Sequence, residues 1–123
     1  MTIGLDSFKI YQLTEELELE VYSVTKQFPK DERFRSVDQL RRSSSSVTNN
    51  IAEAYARFYY KEKVRGFYIA KGEAEETKRN IIRCGKKEFL DKRIAANMED
   101  KYTLLLRLIS GYIRFLRRKF QNK

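Results

Sequence analysis

Val37, Leu40, Ser44, Val47, Ile51, Ala54 and Phe58 step along the chain by 3, 4, 3, 4, 3 and 4 residues. A seam with that period lies along one side of an α-helix, and a strand, whose faces alternate every second residue, cannot present it to a core. Three other stretches carry the same spacing. Ile10, Leu13, Leu17, Val21, Val24 and Phe28 mark a first helix from about Asp6 to Gln27. Phe67, Ala70, Ala74, Thr77, Ile81 and Cys84 mark a third, beginning within Tyr60 to Val64. Tyr102, Leu105, Ile109, Tyr112 and Leu116, extended by Phe120, mark a fourth. Four amphipathic helices with short connections predict an all-α, antiparallel up-down-up-down four-helix bundle, with residues 1–123 as one domain.

The ends of these helices are read from local chemistry. Phe28-Pro29 closes the first, because a residue before proline is pushed out of the α region, and Pro29 to Arg35 reads as a loop. Ser36 and Gln39 have the spacing of a capping box and predict that helix two starts at Ser36. The run Ser43 to Ser46 falls inside the seam, where small side chains let a neighbouring helix approach. The third seam is narrow and requires a bulky partner. Gly85 and the polar stretch to Ala96 hold the next break, with Asn97 as N-cap of helix four and Asp100 near its positive end.

One proline and five glycines are too few for an all-β domain. The single cysteine, Cys84, excludes an internal disulfide and fits a reducing compartment. Met1 to Lys9 lacks the apolar core of a secretory signal, and no apolar run approaches the ~20 residues that span a bilayer. These features predict a cytoplasmic protein.

The net charge of +9 is uneven: residues 1–60 hold 8 Lys/Arg against 9 Asp/Glu (−1), and residues 61–123 hold 18 against 8 (+10). Excess cation confined to one half points to a polyanionic partner, RNA or DNA before membrane, because phosphate neutralisation supplies most non-specific affinity. The other reading of a basic pI is solubility alone. Glu15, Glu16, Glu18 and Glu20 make helix one the acidic element.

There is no histidine, which removes the commonest general base and the Glu-x-x-His ligands of di-iron bundles. One cysteine cannot build a structural zinc site, and no phosphate-cradling glycine motif occurs. Glu53, Glu73 and Glu76 are the remaining carboxylates that chemistry could use. Glu73 and Glu76 read as solvated or ion-paired, Glu53 as a buried hydrogen-bond acceptor, and Cys84 as a small core residue. The expectation is no catalytic residue, no metal and no cofactor.

Beside the seam of helix two, Arg42, Ser46, Asn50, Glu53 and Arg57 form a polar stripe spaced 4, 4, 3, 4. A hydrogen-bond ladder against a neighbouring helix or subunit, with Glu53 accepting from Arg57, is favoured over a ligand- or RNA-contacting strip, since a buried polar line is costly unless paired. The run Gln39-Leu40-Arg41-Arg42-Ser43, then Ser46-Val47, Asn50-Ile51-Ala52-Glu53-Ala54 and Arg57, resembles the signature of the bacterial four helix bundle protein family, which includes proteins encoded in intervening sequences of 23S ribosomal RNA genes. Phe28-Pro29, Phe67, Ile69-Ala70, Gly72 and Glu76 support it, and the resemblance extends from about Phe8 to Leu116. Ala54 stands where the family usually has Gly, and Glu73 where it usually has Ser. The resemblance implies a left-handed bundle assembled into a homopentamer and no catalysis. It also implies similarity in fold to the accessory variability determinant of diversity-generating retroelements, a basic pentameric barrel that binds nucleic acid and a reverse transcriptase.

Two functional readings follow. The first is a non-enzymatic, oligomeric nucleic-acid-binding bundle. Its contacts are Lys78, Arg79, Arg83, Lys86 and Lys87 on helix three, and Arg107, Arg114, Arg117, Arg118 and Lys119 on helix four. Tyr55, Tyr59 and Tyr60 add stacking if exposed. The second is a protein-interaction scaffold, for example an accessory subunit of a reverse transcriptase. The acidic helix one and basic helix four could also meet across a subunit boundary. A membrane-surface helix over Tyr112 to Lys119 is weaker, because the bundle seam explains its apolar residues. Leu5, Phe8, Tyr11, Leu19, Tyr22, Tyr55, Tyr59, Tyr68 and Ile82 lie off the seams, a surplus that predicts self-association.

Overall fold

The computed structural model describes residues 4–121. A short 3-10 turn, Gly4–Ser7, leads into α1 (Lys9–Thr25). A second 3-10 turn (Lys30–Glu32) and a π turn (Arg33–Val37) precede α2 (Asp38–Ala56), which is followed by α3 (Tyr60–Lys86) and α4 (Lys92–Gln121). No strand occurs among the described residues. Each helix packs against its two neighbours in the order α1, α2, α3, α4 and back to α1. Phe8, at the start of α1, meets Tyr55 near the end of α2, Phe67 early in α3 and Tyr112 late in α4, so consecutive helices are antiparallel.

The four seams meet in one core. Leu17, Val21, Leu40, Val47, Ile51, Phe67, Ala74, Ile81, Met98, Tyr102, Leu105 and Ile109 are almost wholly withdrawn from water. The narrow α3 seam lets backbones approach. A Cβ on Gly66 would lie 2.6 Å from the Ala54 methyl, and one on Gly85 would lie 2.9 Å from that of Ala95. Thr77 sits between helices and donates to Ser43 Oγ at 2.7 Å, so the small serines of α2 do admit a neighbour.

Several helix ends differ from expectation. The segment after Pro29 is wound into 3-10 and π turns instead of a loop. Ser36 makes no capping box: it lies inside the π turn, and its hydroxyl donates to Glu32 Oε1 at 2.7 Å. A capping serine needs extended backbone, which a chain already winding into α2 does not offer. α2 stops at Ala56, because Arg57 turns extended at φ −64°, ψ 142°. The last heptad step therefore overshoots, and Phe58 is 87% exposed. The break between α3 and α4 falls within the expected stretch from Gly85 to Ala96, but Gly85 itself is buried inside α3. The helix closes at Glu88, at φ 66°, with Phe89 N–H donating to Cys84 C=O and Glu88 N–H to Gly85 C=O. That is the Schellman arrangement. Asn97 is not a cap either. Asp91 Oδ1 accepts from the N–H groups of Arg93 (2.9 Å) and Ile94 (3.2 Å), so α4 starts five residues before Asn97. Asp100 consequently lies in the third turn, past the reach of the positive helix end.

Candidate nucleic-acid interface

Antiparallel packing divides the nominated cations into two groups. Lys78, Arg79, Arg83 and Lys86 lie on the second half of α3, and Lys87 just beyond it, beside the turn into α4. Arg114, Arg117, Arg118 and Lys119 lie at the far end of α4, next to the start of α3, where Arg117 covers the ring of Tyr68 at 5.4 Å. Tyr68 and Arg83 are separated by about 22 Å of helix rise, so the two groups are distinct patches at opposite ends. Arg107 stands between them, on the outward row it shares with Arg114 and Arg118.

These cations have little internal employment. Arg79 pairs with Glu75 at 3.1 Å. Among the described residues the others have no ion pair, and all but the half-buried Lys78 are exposed. By contrast Lys101, on the α1 side of α4, is held at 3.2 Å from Glu20 and 4.0 Å from Glu16. The acidic helix one and basic helix four thus meet within a single chain.

Further cations, not singled out from the sequence, complete each patch. Lys92 and Arg93 join Lys86 and Lys87 across the α3–α4 turn. At the other end Lys61 and Arg65 line an open groove with Tyr60, Val64, Tyr68, Ile69 and Arg117. The signal for Lys61 and Arg65 is their i, i+4 spacing ahead of Tyr68, legible only once α3 is known to start at Tyr60. Of the tyrosines named for stacking, Tyr59 is exposed, Tyr60 is half-buried against Phe120, and Tyr55 packs on Phe8 at 4.8 Å, inside the bundle's own aromatic cluster.

The polar stripe of α2 is neither buried nor a closed ladder. Asn50 donates to the backbone and hydroxyl oxygens of Ser46 at 2.8 and 3.1 Å, and Arg42 pairs with Asp38 at 2.7 Å. Glu53 is exposed, and its carboxylate does not meet the Arg57 guanidinium; the bond between the two residues runs from Arg57 N–H to the Glu53 carbonyl at 3.1 Å, closing the helix. The stripe flanks two clefts between α2 and α3. One holds Asn50, Glu53, Arg57, Glu62 and Arg65; the other holds Arg42, Ser46, Glu73, Glu76, Asn80 and Arg83. Glu73 and Glu76 thus share a cleft that Glu53 does not line. No group of three His, Cys, Asp or Glu side chains among the described residues is placed to hold a metal.

Cys84 is buried, with its thiol 3.7 Å from Asn80 Oδ1, and burial pushes its pKa up, away from the reactive thiolate. Burial likewise raises Tyr102, with the charges of Glu20 and Glu18 adding to it. Neither is poised for chemistry.

Apolar exposure is spread over several elements: of the off-seam residues that the sequence marks, Leu19, Tyr22, Tyr59 and Tyr68 are exposed, and α4 adds a row that the sequence does not mark. Leu104, Leu108 and Phe115 are 44%, 38% and 50% exposed and form an outward row at i, i+4 and i+11, with Ile94 exposed on the same helix. Tyr112 and Leu116 do pack inward, yet Phe115 between them does not. Phe8 and Tyr55, by contrast, are consumed by internal packing. No described helix is long and apolar enough to cross a membrane.

The profile of the 23S rRNA-intervening sequence protein family matches residues 6–111. The chain is similar in structure to a protein of unknown function from the S23 ribosomal protein family of Bacteroides thetaiotaomicron VPI-5482. The TM-score is 0.79 at 20% identity, over 85% of this chain and 97% of that one. A likeness at that identity speaks for the fold alone. No curated protein sequence matches.

Proposed function

The chain belongs to the 23S rRNA-intervening sequence protein family, and from that premise we propose a non-enzymatic, self-associating bundle that binds nucleic acid through the basic surface of α3 and α4. The observation that carries this reading is the set of exposed cations with no carboxylate partner, from Arg83, Lys86 and Lys87 at one end to Arg114, Arg117, Arg118 and Lys119 at the other. Solubility requires no such concentration, whereas release of counterions from phosphate is driven by cations the protein leaves free. The match to a family described by a ribosomal RNA insertion favours RNA as the first ligand to try.

The test is fluorescence anisotropy with structured RNA across a salt series. Binding that weakens linearly in log salt is expected. Arg83→Ala/Lys86→Ala/Lys87→Ala should give a shallower slope, by about 0.7–0.9 for each phosphate no longer neutralised. Absence of binding at low salt, or affinity indifferent to salt, defeats the reading.

The exposed row Leu104, Leu108 and Phe115 favours a second reading, a protein-interaction scaffold serving a nucleic-acid enzyme. A protein partner retained after nuclease treatment would support it over the first.

A further inference from the structure

We propose that the end of the bundle formed by the α2–α3 turn and the last turns of α4 takes single-stranded nucleic acid, gripping bases by stacking on Phe58 and Tyr59. This rests on the nucleic-acid reading above and narrows it to one strand state and one place.

Phe58 and Tyr59 lie in the three-residue connection between α2 and α3, and are 87% and 66% exposed. Their rings touch each other edge to face, with centroids 5.2 Å apart. Neither belongs to the core or to the aromatics packed against it. A turn that needs only extended backbone at Arg57 and Tyr59 gains nothing from two large rings held in water. Such rings are expensive to expose and useful to a partner with flat apolar faces.

The surroundings select the partner. Immediately after the two rings, the groove along α3 and α4 carries Lys61, Arg65 and Arg117, interleaved with Tyr60 and Tyr68. The one carboxylate between Arg57 and Ile69, Glu62, faces the neighbouring cleft with Glu53. Exposed π-faces followed by a carboxylate-free row of cations match a strand with unstacked bases and a continuous phosphate backbone. A duplex hides its base faces and can use only the cations. An acidic protein would meet the charges but leave the rings unexplained.

The experiment compares wild type and Phe58→Ala/Tyr59→Ala by anisotropy, using labelled RNA and DNA single strands of mixed pyrimidine sequence and duplexes of the same length. The double variant is expected to lose roughly tenfold or more on single strands, the scale of one stacked base, and to keep duplex affinity within about twofold. Phe58→Tyr/Tyr59→Phe, which keeps both rings, is expected to restore binding. Equal loss on RNA and DNA identifies base faces as the contact; loss on RNA alone adds a 2′-hydroxyl contact. Single-strand affinity unchanged in the alanine variant, or equal loss on duplex, overturns the inference while leaving the broader function standing. Failure of wild type to bind any of these ligands overturns the function itself.

Discussion

Ala54 and Gly66 divide one methyl group between two helices. The family resemblance marks Ala54 as a position usually held by Gly, and the structure shows what accommodates it: Gly66 on α3 has no Cβ where one would stand 2.6 Å from the Ala54 methyl and 3.2 Å from its Cα. The nearer contact is side chain, the farther is backbone, so only part of the conflict can be relieved. Gly66→Ala is expected to destabilise by about 1–3 kcal/mol, the usual cost of overpacking a close contact. Ala54→Gly should recover part of that loss in the double variant, giving a favourable coupling in a urea-denaturation cycle. Additive losses would show that the two positions do not oppose each other. Two ionisable groups make a second residue-scale test. Burial raises the pKa of both Cys84 and Tyr102 above their ordinary 9.0 and 10.0. The unfolded chain therefore releases these protons first, and stability, full below those values, falls as pH rises through them. Tyr102→Phe is expected to show a shallower fall than wild type above pH 10.0 in urea midpoints. A parallel decline in both proteins would refute the assignment.

At the scale of elements, each helix face is legible in the sequence and most helix ends are not. A seam such as Val37, Leu40, Ser44, Val47, Ile51 and Ala54 reports its own burial, because core contact must follow the helical period. An end depends on which of several polar residues reaches a free backbone group, and that is decided by the incoming chain. Ser36 has the right chemistry for a cap but is taken up by the π turn, and Asn97 yields the role to Asp91, six residues earlier. Asp91→Ala is accordingly expected to cost about 1 kcal/mol, and Asn97→Ala less than about 0.5 kcal/mol. Equal effects in thermal melts would deny Asp91 the cap. Glu88 holds the left-handed position that closes α3, at φ 66°. A side chain there costs about 1–2 kcal/mol, partly offset in glycine by a looser unfolded chain. Glu88→Gly should thus stabilise by roughly 0.5–1 kcal/mol. The candidate interface is legible as a set of cations and not as a surface. Spacing places Arg83 and Lys86 on one helix and Arg117 and Arg118 on another, but only the antiparallel topology sends them to opposite ends.

The whole molecule exposes charge at its ends and apolar side chains on several faces, among them a row along α4. Off-seam apolar residues predict assembly from the sequence, and the structure divides them: Phe8 and Tyr55 pack internally, Tyr22 lies under Arg41 and Lys26 at 4.4 and 4.8 Å yet stays exposed, and Leu19, Tyr59 and Tyr68 are exposed as well. Leu104, Leu108 and Phe115 form a row on α4 with its outer side open to water. Side chains of that size along one helix face form a strip, and under the proposed self-association a second copy of the same chain would relieve its contact with water. A copy docking this strip elsewhere than on itself would close into a ring if its rotation permitted, and would repeat both basic ends around the assembly. Repetition raises avidity for a long polyanion without adding a residue. Light scattering at micromolar concentration is expected to give a mass well above the 14.7 kDa of one chain. Leu104→Glu/Leu108→Glu, placed where a monomer would tolerate charge, should return it to that value. Tyr22→Glu, on the α2 side of α1, should leave the assembly intact. A wild-type mass of one chain would sink assembly altogether. A multimer unmoved by the α4 double variant would shift the contact to another face.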